Sequence, residues 1–514
     1  MPGSRTKKAA KKALKKALKT SSGRKPKTAK SSSGLVAQVN SQVALEIYDN
    51  GKVGVYVDGY AVELGQISPE TVKRAQGLRE GMPMASFSPA KNQSDQDIDL
   101  LARRLARSGL LEYRLRSPGG KETVSIEPQI SGYWPQLATL GSTDHIVLSR
   151  FAYLRRRGSD LVLESPRSPA LFRFSDPKAA AAILALSTPR TLRALQSEKD
   201  FVGLELLALL VQSEILFKVE ANSEGLRAHE GDENLVVWDF HDLLFHTRST
   251  EGRQANALGG RYPFAGTMAP PPAVRAPWHG ELIDLQTFSN AAEAPSSALA
   301  ELLNQRHSIR DFDDARPITL TELARFLDCA ARVRSKWTSP LDFGEGDVGP
   351  DIDYTSRPYP AAGSAYELEL YLTVNQCDGV ARGFYHYDAD RHALVPIAAR
   401  TQELEALLKA AQYGMDAPGL PQILFTIAAR FDRISWKYSA IAYSLILKDV
   451  GVLLQTMYLT ATDLGLGGCA IGTSNIDLFA RMTGLPFHVE GPVGQFALGR
   501  EFTESQGELP STQR

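Results

Sequence analysis

The stretch "SLILKDVGVLLQTMYLTATDLGLGG", beginning at Ser444, constrains the fold of this chain more than any other. It is apolar on nearly every face, so a helix built from it, expected from about residue 440 to 464, has to be covered almost all round. A bilayer is one way to cover such a helix. Lys448 and Asp449 lie near its middle, however, and two charges at that depth argue against a membrane span. The remaining choice is the centre of a protein core or of a dimer. Either needs a large fold around it, and 514 residues, at roughly 100–200 per domain, predict about three domains.

Composition supports a globular chain, with 43% hydrophobic and 23% charged residues. The formal net charge of zero hides an asymmetry. Residues 1–30 hold 12 of the 58 Lys and Arg and none of the 58 Asp and Glu, which leaves a body of 46 basic and 58 acidic side chains. The tail over 1–34, rich in Lys and Ala and then in Ser, Gly and Pro, reads as solvated and without fixed structure. A solubility tail is the expected role, with attraction to an anionic partner as the alternative. Cys329, Cys377 and Cys469 are too far apart in sequence for a CxxC motif, which excludes a disulfide framework and a zinc site of that kind. No apolar signal region opens the chain, so a cytoplasmic protein is expected.

Two stretches N-terminal to residue 222 share a pattern. "DIDLLARRLARSGLLEYRL" has helical apolar spacing that stops at Ser108-Gly109 and turns into a strand. The same logic returns in "ELLALLVQSEILFKV", pairing Leu101 with Leu206, Leu105 with Leu210, Ser108 with Ser213 and Leu110-Leu111 with Ile215-Leu216. The strand-rich context, including a hairpin around Asn50-Gly51, predicts two small winged-helix-like modules at 35–135 and 143–222. Modules of this kind hold DNA or a peptide. The acidic body disfavours nucleic acid, and a peptide is preferred. The linker that follows carries His241 and His246, which without Cys or carboxylate support read as structural rather than metal-binding; no metal is expected.

Beyond residue 300 the landmarks are more specific. Arg306-His307-Ser308-Ile309-Arg310 offers two guanidiniums and a hydroxyl suited to gripping a phosphate, ahead of a helix starting near Thr319. "RPYPAAGSAYELELYLTV" places a Pro360-Ala361-Ala362-Gly363 turn before a strand, and "GFYHYDADRHALVPI" supplies a hairpin. "ISWKYSAIAY" sets Lys437 beside Tyr438 at the mouth of the long helix, "LGLGGCAIG" follows that helix, and "GPVGQFALGR" ends at Arg500.

In that order, over residues 234–505, these segments resemble the nitroreductase-like FMN enzymes, and among them the SagB-type azoline dehydrogenases. The resemblance implies an α+β FMN-binding domain, helices around an antiparallel sheet, forming a homodimer. It implies FMN contacts from Arg306, His307, Ser308 and Arg310, from Gly467, Gly468 and Cys469 along the flavin, from Arg500 at the phosphate, and from Pro360 to Gly363 across the dimer interface. Ala361 stands where that family often has Ser, so any contact there is through backbone. Cys469 reads as a small hydrophobe at a helix end rather than a catalytic thiol.

The resemblance further implies oxidation of peptide thiazolines or oxazolines to azoles during ribosomal peptide natural-product maturation, with dioxygen reoxidising the flavin. A cyclodehydratase is an expected partner alongside the azoline-containing precursor peptide. A hydride leaves one ring carbon and a proton the next, and Lys437 or Tyr438 is the expected base. An apolar enclosure would favour the neutral amine. Adjacent helical residues point about 100° apart, so both reach one pocket only if the local backbone is irregular. The alternatives are a nicotinamide-dependent nitroreductase and a non-catalytic scaffold that delivers peptide.

Overall fold

The computed structural model describes residues 34–502 apart from 42, 49, 58–59, 88–91, 118, 220–229, 254–261, 263, 278, 286–296 and 343–347. The basic tail expected over 1–34 lies, but for Gly34, outside the described residues, as do the ends of the ranges expected to close at 222 and 505. The chain forms two compact units: one runs to Val236 and is rejoined by the short segment that starts at Gly252, and the other begins at Val237.

In the first unit a seven-stranded antiparallel sheet has the order Met82–Pro83, Gly34–Val39, Leu111–Arg116, Glu122–Pro128, Ala170–Phe174, Asp160–Glu164, Tyr153–Arg157. The sequence suggests a sheet for each of two modules. Instead Ala170–Phe174 pairs with Glu122–Pro128 along its whole length, and three strands of the second range extend the sheet of the first. Apolar side chains on those strands, such as Val162 and Phe172, are fully buried, so sharing one sheet covers a face that a small module would leave wet. A meander over Ala44–Ile47, Lys52–Val57 and Tyr60–Gln66 and a small sheet of Arg190–Thr191, His145–Leu148 and Leu216–Val219 complete the unit.

The internal repeat is expressed at helix ends. Gln93–Arg107 is capped by Ser108, and Gly109 (φ +69°) follows; Leu204–Gln212 is capped by Ser213, and Glu214 (φ +56°) follows. In each case a six-to-one hydrogen bond closes the turn, Leu110 N to Leu105 O at 2.9 Å and Ile215 N to Leu210 O at 3.0 Å. Both are left-handed helix caps, for which glycine is favoured because it has no Cβ to clash. Glu214 holds the second cap despite that penalty, and its side chain meets Arg167 at 3.1 Å.

The second unit is α+β. Its six-stranded antiparallel sheet has the order Ala393–Ile397, Gly383–Asp388, Leu368–Val374, Ile423–Arg430, Glu490–Arg500, Leu466–Ile471. The expected hairpin and the strand after the Pro-Ala-Ala-Gly turn are both in it. Thr319 starts the helix Leu320–Ala331 with a reciprocal capping box to Glu322. The apolar run forms the helix Ala442–Asp463, which packs on the two strands at the sheet's end and on Leu320–Ala331 and Ala298–Gln305.

Ile446, Val450, Leu453, Met457 and Ala461 make the buried stripe of that helix. Cover all round is not reached within one chain: Leu447, Lys448 and Gln455 are exposed. No helix among the described residues is long and apolar enough to cross a membrane. A correction concerns Gly467, Gly468 and Cys469, expected at a helix end. Gly465 (φ +64°) breaks the helix, and these three residues lie on the strand Leu466–Ile471, inside the sheet.

The caps lead to a measurable asymmetry. Gly109→Ala forces an L-residue into the left-handed region and is expected to lower stability by about 1 kcal/mol in denaturant unfolding. Glu214→Gly, which relieves that conformation and gives up a half-exposed ion pair to an Arg167 that keeps Glu230 at 3.6 Å, is expected to stabilise by roughly 0.5 kcal/mol.

Candidate active site

Lys437 and Tyr438 do not lie on a continuous helix. The short helix Phe431–Ser435 ends beneath them, with both amides bonded to Ile434 O at 3.1 and 3.0 Å, and Ala440 (φ +57°) separates them from Ala442–Asp463. That break supplies the irregularity two adjacent residues need to reach one place. Both side chains meet the Pro360–Gly363 turn: Lys437 Nζ donates to Gly363 O at 3.0 Å. A Cβ built on Gly363 would lie 2.5 Å from Lys437 Nζ and 2.5 Å from the Tyr438 hydroxyl. Glycine at 363 (φ +53°) therefore leaves the space that the amine and phenol share.

The turn is held from behind by the long helix, where Asp449 accepts a hydrogen bond from the Ala362 amide at 2.9 Å. The loop after Tyr438 is held from the other side. Asp239 accepts from Ala440 N at 2.9 Å, and His241 Nε2 lies 3.3 Å from Ala440 O. His241 thus acts on backbone, and His246 is buried against the Tyr443 hydroxyl at 3.0 Å, so both expected structural histidines have partners. The ligand atoms of Asp239, His241 and Asp242 lie within 4.8 Å of one another, but Asp239 and His241 are committed to Ala440. Lys437 is exposed in the single chain and Tyr438 half-buried; the apolar enclosure expected around the amine is not built by this chain alone.

A second cluster forms around the Tyr458 hydroxyl, which accepts from Ala470 N at 2.8 Å and bonds Ser308 Oγ at 2.8 Å, while the Arg306 guanidinium sits over its ring at 5.2 Å. Ile309 N donates to Gly468 O at 2.9 Å, and a Cβ on Gly467 would lie 2.6 Å from Ile309 Cγ2. The two glycines thus let the Arg306–Arg310 segment lie flat on the edge strand. Arg306 and Arg310 have no carboxylate partner among the described residues, which leaves both forks for an anionic group. His307 is exposed, 3.8 Å from Glu501. Burial pushes the Cys469 thiol up, although Arg310 lies against it, so it stays a protonated, packed side chain.

Arg500, expected at the phosphate, has partners within the chain. Its guanidinium donates to Glu322 at 2.6 Å and to Arg316 O at 3.3 Å. The pairing holds the Glu322 carboxyl down at about 2. Sequence reading named neither Glu322 nor Tyr458 as part of this site. The only signal for Tyr458 was a phenol inside an apolar run, since a buried hydroxyl seeks a partner.

The sequence profile of the nitroreductase family matches residues 303–500, and that of the cyanobactin oxidase ThcOx matches residues 146–255. The nitroreductase-named protein MJ1384 of Methanocaldococcus jannaschii is 31% identical over 174 residues, 34% of this chain and 78% of that one. This chain belongs to the nitroreductase family. Both clusters described above lie within the second unit of this nitroreductase-family oxidoreductase, which has the nitroreductase-like fold. The microcin B17-processing protein McbC of Escherichia coli is 30% identical over 124 residues, 23% of this chain and 44% of McbC, so the chain spans less than half of that relative. A chain of the E. coli microcin synthetase McbBCD complex with truncated pro-MccB17 bound aligns with a TM-score of 0.38 at 19% identity, covering 55% of this chain and 100% of that one. The ThcOx and McbC matches support the resemblance to SagB-type azoline oxidases within the family.

The Arg500–Glu322 pair gives this nitroreductase-family chain an acid-sensitive contact. A carboxylate depressed from 4.5 to about 2 contributes stability that is present above 4.5 and lost as pH falls through about 2. Acid unfolding of Glu322→Gln is expected to show a shallower loss of stability over that window than the parent chain.

Proposed function

We propose that this protein oxidises azoline rings in peptides to azoles, using FMN. The observation that carries the reading is the convergence of Lys437 and Tyr438 on Gly363: an amine and a phenol within reach of one point, in a family whose chemistry is redox. The names of two relatives, a cyanobactin oxidase and a microcin-processing protein, support a peptide substrate. The donor set fits the cofactor, since Arg306 and Arg310 are free of carboxylates and Ser308 stands between them. In this reading those three residues hold the phosphate and ribityl chain, and the backbone of Gly467, Gly468 and Cys469 and of Pro360 to Gly363 lies along the ring. Arg500 contributes less than a free guanidinium, because Glu322 already neutralises it.

FMN, when bound, supplies two-electron, hydride-accepting chemistry that dioxygen can regenerate. The chain's own part is the proton. Lys437 Nζ, fixed by Gly363 O, is placed to take the proton from the ring carbon next to the one oxidised, and the Tyr438 hydroxyl orients the ring or shares the proton. Taking that proton requires the neutral amine. The exposed Lys437 gains the apolar cover that favours it from the bound ring and from a second subunit, and a homodimer built on the open side of Ala442–Asp463 suits the exposed Leu447. The strand-rich first unit, whose sheet ends at the edge strand Tyr153–Arg157, suits an extended precursor peptide added alongside. A cyclodehydratase is the enzyme class that must supply the azoline.

The test is anaerobic mixing of the purified flavoprotein with a thiazoline-containing peptide, followed at about 450 nm, the flavin band. Bleaching is expected in the parent chain. In Lys437→Ala its rate is expected to fall by about 10²–10⁴, the usual worth of a general base, with flavin retained. Tyr438→Phe separates the two side chains: a loss as large as that of Lys437→Ala makes the phenol part of the proton path. Bleaching by nicotinamide and not by peptide would replace this reading with a nitroreductase activity, and a colourless protein would favour a scaffold.

A further inference from the structure

Behind the turn that Lys437 and Tyr438 share lies a pair of acids to which the proposed chemistry gives no role. Glu367, the residue before the strand Leu368–Val374, is completely buried, and Asp449 on the long helix is 6% exposed. Glu367 is flanked by Arg357, Tyr359 and Glu369. Arg357 spends one nitrogen on Leu368 O at 3.1 Å and forms no ion pair among the described residues, Tyr359 is a buried phenol, and Glu369 is engaged by His386 at 3.3 Å and Arg430 at 3.8 Å. No described cation forms an ion pair with Glu367 or Asp449, and Lys448 beside Asp449 points to solvent. Asp449 accepts the Ala362 amide at 2.9 Å, and the next residue, Gly363, accepts Lys437 Nζ at 3.0 Å.

Arg357 lies near enough to favour the Glu367 carboxylate but forms no ion pair with it, and burial and the Asp449 charge outweigh that help. Two carboxyls buried together in this way cannot both ionise at low cost, and one proton held between them resolves the conflict. We propose that Glu367 and Asp449 share a proton, and that this carboxyl pair positions the Ala362–Gly363 turn for Lys437 and Tyr438. Both Glu367 carboxyl oxygens are buried without a hydrogen-bond partner among the described residues, a placement that suits a protonated acid and not a carboxylate. Carrying the proton, Glu367 donates to Asp449, whose carboxylate is left to accept the Ala362 amide. Burial first, and the neighbouring Asp449 charge second, raise the Glu367 carboxyl from 4.5 to about 7; burial also raises Asp449. Above that pH the second charge faces Asp449 across the sheet–helix contact, and the turn loosens its hold on Lys437. Glu367 and Asp449 are positioning residues here, acting through the turn. Their importance for catalysis rests on the reading of Lys437 and Tyr438 given above, while the shared proton does not.

The sign of the linkage is fixed. A carboxyl raised in the folded state keeps a proton that the unfolded chain releases above 4.5, so its contribution to stability is whole below 4.5, falls as pH rises, and levels off above about 7. In Glu367→Gln the amide donates to Asp449 at every pH. In Asp449→Asn the amide donates to Glu367 and its carbonyl still accepts Ala362 N–H, which removes the need for a shared proton in a second way.

The experiment uses the full-length protein without peptide. Thermal unfolding and hydrogen exchange at the segment containing Ala362 are followed from about pH 5 to about pH 8.5, each variant compared with the parent chain at the same pH. Relative to Glu367→Gln, the parent is expected to lose about tenfold in protection of that segment as pH rises by one unit through the titration, and to show the stability slope that both variants lack. If parent and Glu367→Gln track one another over the whole range, or if Asp449→Asn keeps the parent's slope, the shared proton is refuted. Neither readout needs turnover, so a protein that shows the switch but oxidises no azoline peptide would overturn the proposed function and leave the pair intact. Where turnover is seen, its rate is expected to fall above about pH 7 in the parent and not in Glu367→Gln, whereas a merely structural pair would lower the rate equally at all pH values.

Discussion

The hydrogen bond from the Ala362 amide to Asp449 is the contact on which the candidate active site depends. It ties a turn before one sheet strand to the middle of the long helix, and that turn is where the Lys437 amine and the Tyr438 phenol meet. The same helix gives two further polar anchors, Tyr443 to His246 and Tyr458 to Ser308 and Ala470. Each anchor leaves a mainly apolar surface at a different height, and each holds a different segment: the Ala362 turn, the helix Phe240–Ser249 that carries His246, and Ser308 with the edge strand. The apolar stripe holds the helix in the sheet's company, and the three polar groups decide what the helix organises. A redox site assembled this way depends on one element being in register more than on any loop being rigid.

Much of the second unit was legible in the sequence because local rules set it. The helix start near Thr319, the hairpin after Gly383, the strand after Gly363 and the long helix follow from turns and periodicity, and they lie where those signals put them. Lys437, Tyr438 and Gly363 were also read individually. Their convergence was not legible, because it depends on a contact between residues 74 positions apart and on a break at Ala440 that no glycine or proline announces. Gly467, Gly468 and Cys469 were misassigned to a helix end because a glycine pair after an apolar helix looks like a stop signal. The stop is Gly465, and the pair serves close packing on Ile309 and Phe496. The pairing of Arg500 with Glu322 was not legible, because the two lie 178 positions apart.

The first unit shows the opposite balance. The repeat was visible in five aligned apolar and serine positions, and it is matched by hydrogen bonds at two helix ends. The sheet topology was not visible. Which strands pair across 170–174 and 122–128 is decided by tertiary burial, and short alternating strands carry little information about their neighbours.

The dipeptide Lys448-Asp449 first ruled out a membrane. In the folded chain the two side chains point about 100° apart, the lysine exposed and the aspartate buried. A helix that is greasy on most sides has little to stop it rotating about its own axis, since one set of leucines buries about as well as another. Turning this one by a single residue would drag an ammonium into the interior and expel the carboxylate that the Ala362 turn needs. Adjacent opposite charges therefore act as a rotational key, giving a sticky cylinder one angular setting and so placing all three of its polar anchors at once.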